Sequence, residues 1–142
     1  MNALTSDKVL SFLRPSLVAL GYKIEEGKHK ADLIRRPVLF GDEGSERVAY
    51  EVDGYNEEFG IVLEVEAGRG ALGNAVYRDL VRASLIVGAE YLALGVMQKY
   101  RYRSNGKDSS VSSYRDTKAV IEAVYASGRL RLPFKGLLLF GY

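Results

Sequence analysis

Between Val48 and Glu66 the chain alternates apolar and polar residues twice, and both times the polar side ends in carboxylates. Val48, Tyr50 and Val52 alternate with Ala49, Glu51 and Asp53; Ile61, Leu63 and Val65 alternate with Val62, Glu64 and Glu66. A period of two is the signature of a β-strand with two unlike faces. It predicts strands over Arg47–Asp53 and Gly60–Glu66, joined by a polar turn. Residues two apart share a strand face, so Glu64 and Glu66 stand side by side. Pairing of the two strands adds Asp53 to them. Three carboxylates so close repel one another and call for a counter-cation.

The flanking sequence supplies further elements. Thr5, Ser6 and Asp7 offer N-cap oxygens for a helix from Asp7 to Leu20, with Leu10, Leu13, Leu17 and Leu20 as its apolar stripe. Pro15 should kink that helix or begin its second half, and Gly21 should follow its end. Strands are expected at Tyr22–Glu26 and Ala31–Phe40, the latter with an edge or bulge at Pro37. Gly41–Glu46 reads as a charged turn. A second helix should run from Ala71 to Val87, burying Val76, Leu80, Ala83 and Val87, with Asn74, Arg78 and Arg82 on another face. Tyr91–Met97 is an apolar strand suited to the middle of a sheet. Gln98–Arg115 reads as a mobile polar loop, Thr117–Ala126 as a helix, and Arg129–Leu132 and Gly136–Phe140 as late strands. This order gives an α/β fold: one domain over residues 1–142, with a central mixed β-sheet flanked by helices.

Composition narrows the function classes. A net charge of only +2 does not itself argue for nucleic acid, but acids crowd Asp42–Glu66 while Arg and Lys dominate after Arg69. With no cysteine there is neither a disulfide framework nor a thiolate metal site. No apolar run reaches the ~18 residues of a membrane span, and no basic segment precedes an apolar block near Met1. Cytoplasmic location without a membrane partner is therefore expected.

Carboxylates on rigid strands suit one chemistry well. Phosphodiester hydrolysis needs an activated water and relief of negative charge, both of which divalent metals supply. Mg²⁺ takes one or two protein carboxylates plus waters and substrate oxygens. An acid at one strand end and an acid-x-acid pair on its neighbour meet that need.

Asp53, a turn, Glu64-Val65-Glu66 and a following amphipathic helix resemble the core of the PD-(D/E)xK nucleases. Within that superfamily, Leu63-Glu64-Val65-Glu66, the Gly-Arg-Gly turn and Arg78-Asp79-Leu80 are most similar to the type II restriction endonucleases of the BglII and BamHI group. The resemblance covers Ala31–Met97. It implies a restriction-endonuclease-like fold, Mg²⁺ or Mn²⁺ as cofactor, and duplex DNA as substrate. It further implies Asp53 and Glu64 as metal ligands, with Glu66 at the position usually held by lysine. The BamHI type is similar in having glutamate there. Glu66 then either takes a proton from water or holds a second metal. Some relatives carry a site glutamate on the first helix; here only Asp7 lies near its start, and Glu51, on the face of Asp53, is a substitute.

Each of these residues has a plainer reading. Alternating acids also occur on solvated sheets, and Glu51 reads as an ordinary exposed acid. Arg69, Arg78 and Arg82 face a phosphate or simply water; Arg78 and Asp79 equally form structural pairs. His29, in a Gly-Lys-His-Lys loop, reads as a surface residue. Arg101, Arg103 and Lys107, interleaved with Tyr100 and Tyr102, are candidate nucleic-acid contacts, with solvated loop as the alternative. Leu132, Phe134 and Leu137-Leu138-Leu139-Phe140 suggest apolar surface for a homodimer, or a buried strand. Two competitors to a nuclease remain: a DNA-binding or regulatory protein of the same fold without catalysis, and an unrelated α/β interaction domain.

Overall fold

The computed structural model describes residues 4–68 and 74–142. Its centre is a five-stranded mixed sheet in the order β1–β4–β5–β6–β9. Those strands are β1 (Tyr22–Ile24), β4 (Gly54–Asn56), β5 (Ile61–Val65), β6 (Tyr91–Val96) and β9 (Gly136–Gly141). β1, β4 and β5 pair antiparallel; β5, β6 and β9 pair parallel. The alternation read from the sequence divides β5 as expected. Leu63 and Val65 pack with Val9, Leu10, Ile24 and Ala93 under helix α1 (Ser6–Ala19). Val62 faces the other way, into a cluster with Val76, Leu80 and Ala83 of helix α2 (Ala75–Leu85) and Ile121 of helix α3 (Ser113–Ser127). One helix thus covers one face and two cover the other.

Several local expectations hold. Thr5 caps α1 by accepting from the Lys8 N–H, and Gly21 follows the helix at φ +90°, whereas Pro15 lies inside one continuous helix rather than beginning a second half. Val9 joins the buried stripe while Leu20 stays largely exposed. Strand β2 (Ile34–Phe40) shifts register just after Pro37, where no N–H is available for the ladder.

Other expectations are corrected. Strand β3 (Glu46–Val52) does not pair with β5; it pairs with β2 in a separate two-stranded sheet, and β4 takes the place beside β5. The chain changes sheets at Asp53, between β3 and β4. Gln98–Arg115 is not a loop. It contains an antiparallel ribbon of β7 (Tyr100–Ser104) and β8 (Lys107–Val111), closed by Asn105 and Gly106 at φ 48° and 74°. Two consecutive positive φ values suit a tight hairpin turn, and Asn-Gly is the dipeptide that accepts them most readily. Arg129–Leu132 forms no strand; Arg129, Leu130 and Arg131 lead exposed toward Pro133. The apolar run near the end is core for the most part. Phe134 is buried, Leu132, Leu137 and Leu139 pack against the α2–α3 cluster, and Leu138, 62 % exposed, is left facing outward. Among the described residues no helix is long and apolar enough to cross a membrane.

Candidate active site

The site lies where β5 ends. Leu63 and Gly54 pair across β5 and β4, so Asp53 arrives beside Glu64. The Asp53 carboxylate accepts a hydrogen bond from the Val65 N–H at 2.7 Å, which locks its position against β5. Asp53 and Glu64 lie within hydrogen-bonding reach of each other. Glu66 continues the same face one residue pair further on, its backbone N–H donating to the Gly95 carbonyl of β6 at 2.8 Å.

A fourth carboxylate completes the group, and sequence reading did not assign it. Asp79 enters from α2 with only 3 % of its surface exposed. It occupies a core position of the helix, since residues 76, 79, 80 and 83 form one stripe in which the other three are Val, Leu and Ala. A charge inside an apolar helix stripe is a signal legible in the sequence. Asp79 Oδ1 accepts from Arg78 Nε at 3.1 Å, while Oδ2 is buried without a donor. Glu66 and Asp79 can hydrogen-bond directly only when one of them carries a proton. The carboxyls therefore form two pairs, Asp53–Glu64 and Glu66–Asp79.

Burial and mutual repulsion push the proton affinities of Asp53, Glu64 and Glu66 upward. Glu64 is raised to about 9, first by desolvation and then by Asp53, Asp79 and Glu66. Glu66 is raised to about 8 by desolvation and by Asp79, against the opposing pull of Arg78. Asp53 is raised by desolvation despite its bond from Val65. Two more groups stand nearby. Glu25 is raised by burial and by Asp53, Asp7 and Glu51, so the start of α1 contributes charge at this end even though Glu51 and Asp7 are exposed. Tyr142 donates its hydroxyl to the Glu66 carbonyl at 2.5 Å and is raised to about 12 by burial and by Glu66 and Asp53. No local pattern could have found Tyr142.

The candidate phosphate contacts divide. Arg78 bridges Glu66 and Asp79, at 3.5 Å and 3.1 Å. Arg82 lies over the Tyr50 ring at 4.8 Å and reaches the Glu51 carbonyl at 3.5 Å. Arg69 lies outside the described residues. On the ribbon, Arg101 and Arg103 share one face and Lys107 the other, because Arg103 pairs with Asp108 and Ser104 with Lys107. Lys107 is thereby separated from the two arginines. Arg103 makes a loose pair with Asp108 at 3.8 Å, both exposed. Tyr100 and Tyr102 stack at 5.8 Å on the more buried face. An open cleft of about 380 Å³ runs along Lys99, Arg101, Tyr102 and Ser110. The ribbon's base is fixed beside the site: any Cβ on Gly68 would stand 2.0 Å from the Tyr100 ring. His29 is exposed, as its plain reading holds.

The donor set fits a hard divalent cation in kind, being all oxygen and in excess of negative charge. Among the described residues no three acidic or histidine side chains converge as a ready-made ion cage. Pairs of carboxylates completed by water and substrate oxygens match what Mg²⁺ commonly accepts. No family model, curated protein or solved structure matches this chain.

Proposed function

We propose that this chain is a divalent-cation-dependent DNA endonuclease of restriction-endonuclease-like fold, acting on duplex DNA. One observation carries the reading: four carboxyls, Asp53, Glu64, Glu66 and Asp79, gathered and mostly buried where β5 ends, with Arg78 as their nearest counter-charge. Buried acids that repel one another are costly to keep, and a site for cations accounts for them. The order acid, hairpin, acid-x-acid, helix and parallel strand supports the same fold reading.

Asp53 and Glu64 would hold Mg²⁺ or Mn²⁺. When bound, such an ion lowers the pKa of water and offsets charge on the phosphate oxygens. Asp53 is held in place by the Val65 N–H, and Glu64 by the rigid β5–β6 ladder. Glu66 stands next along that face, where it can orient the attacking water or accept its proton. Arg82 beside the acids, and Arg101 and Arg103 on the ribbon, offer positive charge to the flanking phosphates.

The direct test is cleavage of supercoiled, linear and single-stranded DNA with Mg²⁺ or Mn²⁺, alongside calorimetry with each metal. Absence of both cleavage and metal binding refutes the reading. The alternative reading is a DNA-binding or regulatory protein of the same fold that does not cut. DNA binding without cleavage by a protein that binds metal would select it.

A further inference from the structure

Arg78 and Asp79 are neighbours on α2, and successive helix residues point away from each other. Arg78 nevertheless folds back, placing Nε on Asp79 Oδ1 at 3.1 Å and Nη2 near Glu66 Oε1 at 3.5 Å. One guanidinium thus closes a carboxylate pair whose members come from a strand end and a helix. Asp79 keeps Oδ2 buried and without a donor, and its carboxyl lies within hydrogen-bonding reach of Glu66. A permanent ion pair would be expected to satisfy that oxygen, because a buried acceptor left unmade is expensive. Arg78 itself is 56 % exposed along its side chain, so it can swing outward without breaking the core.

We propose that Asp79 and Glu66 form a cation-binding pair that the Arg78 guanidinium plugs in the ion-free protein and vacates for a divalent cation. The released guanidinium then faces outward beside the site, where a substrate phosphate is its natural partner, bound through two parallel hydrogen bonds. This rests on the nuclease reading for the substrate but not for the pair itself. Asp79 becomes a ligand supplied by α2, and Arg78 a positioning residue that links ion entry to phosphate contact.

The test counts Mn²⁺ ions on the full chain by calorimetry and electron paramagnetic resonance. Wild type should bind two, one at Asp53–Glu64 and one at Glu66–Asp79. Asp79→Asn should lose one and keep the other. Arg78→Gln should keep both and bind the second about tenfold more tightly, since its competitor is gone. If Asp79→Asn does not fold, Glu66→Gln removes the other half of the pair and must cost the same ion. A single wild-type ion that Asp53→Asn abolishes and Asp79→Asn leaves intact overturns the pair while sparing the nuclease reading. An Arg78→Gln protein with unchanged or weaker Mn²⁺ binding overturns the plug. Wild type that binds no Mn²⁺ overturns both.

Discussion

The end of β5 and the β7–β8 ribbon touch each other through Gly68 and Tyr100, yet they carry charge in opposite ways. At the strand end, Asp53, Glu64 and Glu66 are half-buried, crowded and raised in proton affinity. On the ribbon, Arg101, Arg103 and Lys107 are exposed, and the pair that Arg103 makes with Asp108 across the strands is long. Burial makes charge expensive, so an acidic cluster inside a fold needs a reason to exist. Exposed charge costs little, so the ribbon's arginines are informative chiefly through what lies beside them. The contrast is one of reacting centre against electrostatic arm, and it can be broken or sharpened from either side.

The largest effect should come from the acidic end. Asp53→Asn and Glu64→Gln should each lower Mg²⁺-dependent cleavage by about a thousandfold or more, because each removes ligand charge. Metal-free DNA affinity should survive or rise in both, as measured by fluorescence anisotropy. Equal loss of affinity and cleavage would erase the division between centre and arm.

Stability should respond to pH next. Glu64 and Glu66 start from 4.5 in the open chain and rise to about 9 and about 8 in the fold. The folded state therefore holds more protons between those limits. Without divalent ions, stability should be greatest below about 4.5 on this account and decline as pH rises through 8 to 9. Glu64→Gln should stabilise the metal-free protein by on the order of 1–3 kcal/mol at pH 9. Denaturant melts at pH 5 and pH 9 check the slope. A metal-free protein that gains stability toward pH 9 would contradict the cluster's repulsion.

The ribbon should give a smaller and different signature. Arg101→Gln with Arg103→Gln should weaken DNA binding by about tenfold and reduce the slope of log affinity against log salt by about 2, leaving the melting temperature in place. Lys107→Gln should do less to that pair's contacts, since it projects from the opposite face. An unchanged salt slope in the double variant assigns the ribbon to solvent.

The smallest effect tests the ribbon as a built element. Gly106→Val puts a β-branched residue at φ 74° and should cost about 1 kcal/mol or more locally. Hydrogen exchange should speed across Tyr100–Val111 while the β5–β6 amides stay protected. Uniform loosening of both would mean that the ribbon supports the central sheet.

Local pattern determined much of this protein. Period-two alternation was enough for β5 and for the common face of Glu64 and Glu66, because strand geometry sets side-chain direction without reference to anything distant. Helical spacing marked Val76, Leu80 and Ala83 of the buried stripe of α2, though not Val87, which lies exposed beyond the helix, and Asp79 within that stripe was legible as a buried charge. The Asn105-Gly106 turn was legible too, and weighing polar composition over turn chemistry hid the ribbon. Tertiary structure alone decided the rest. The alternation of β3 says that it is a strand but not which strand it pairs with, and its partner proved to be β2, with β4 delivering Asp53 to β5. The convergence of Asp79, Glu25 and Tyr142 on Asp53 and Glu66 depends on packing between segments far apart in the chain. Periodicity is a property of neighbouring residues, whereas the closeness of those groups is set by how the helices and the late strand settle on one sheet.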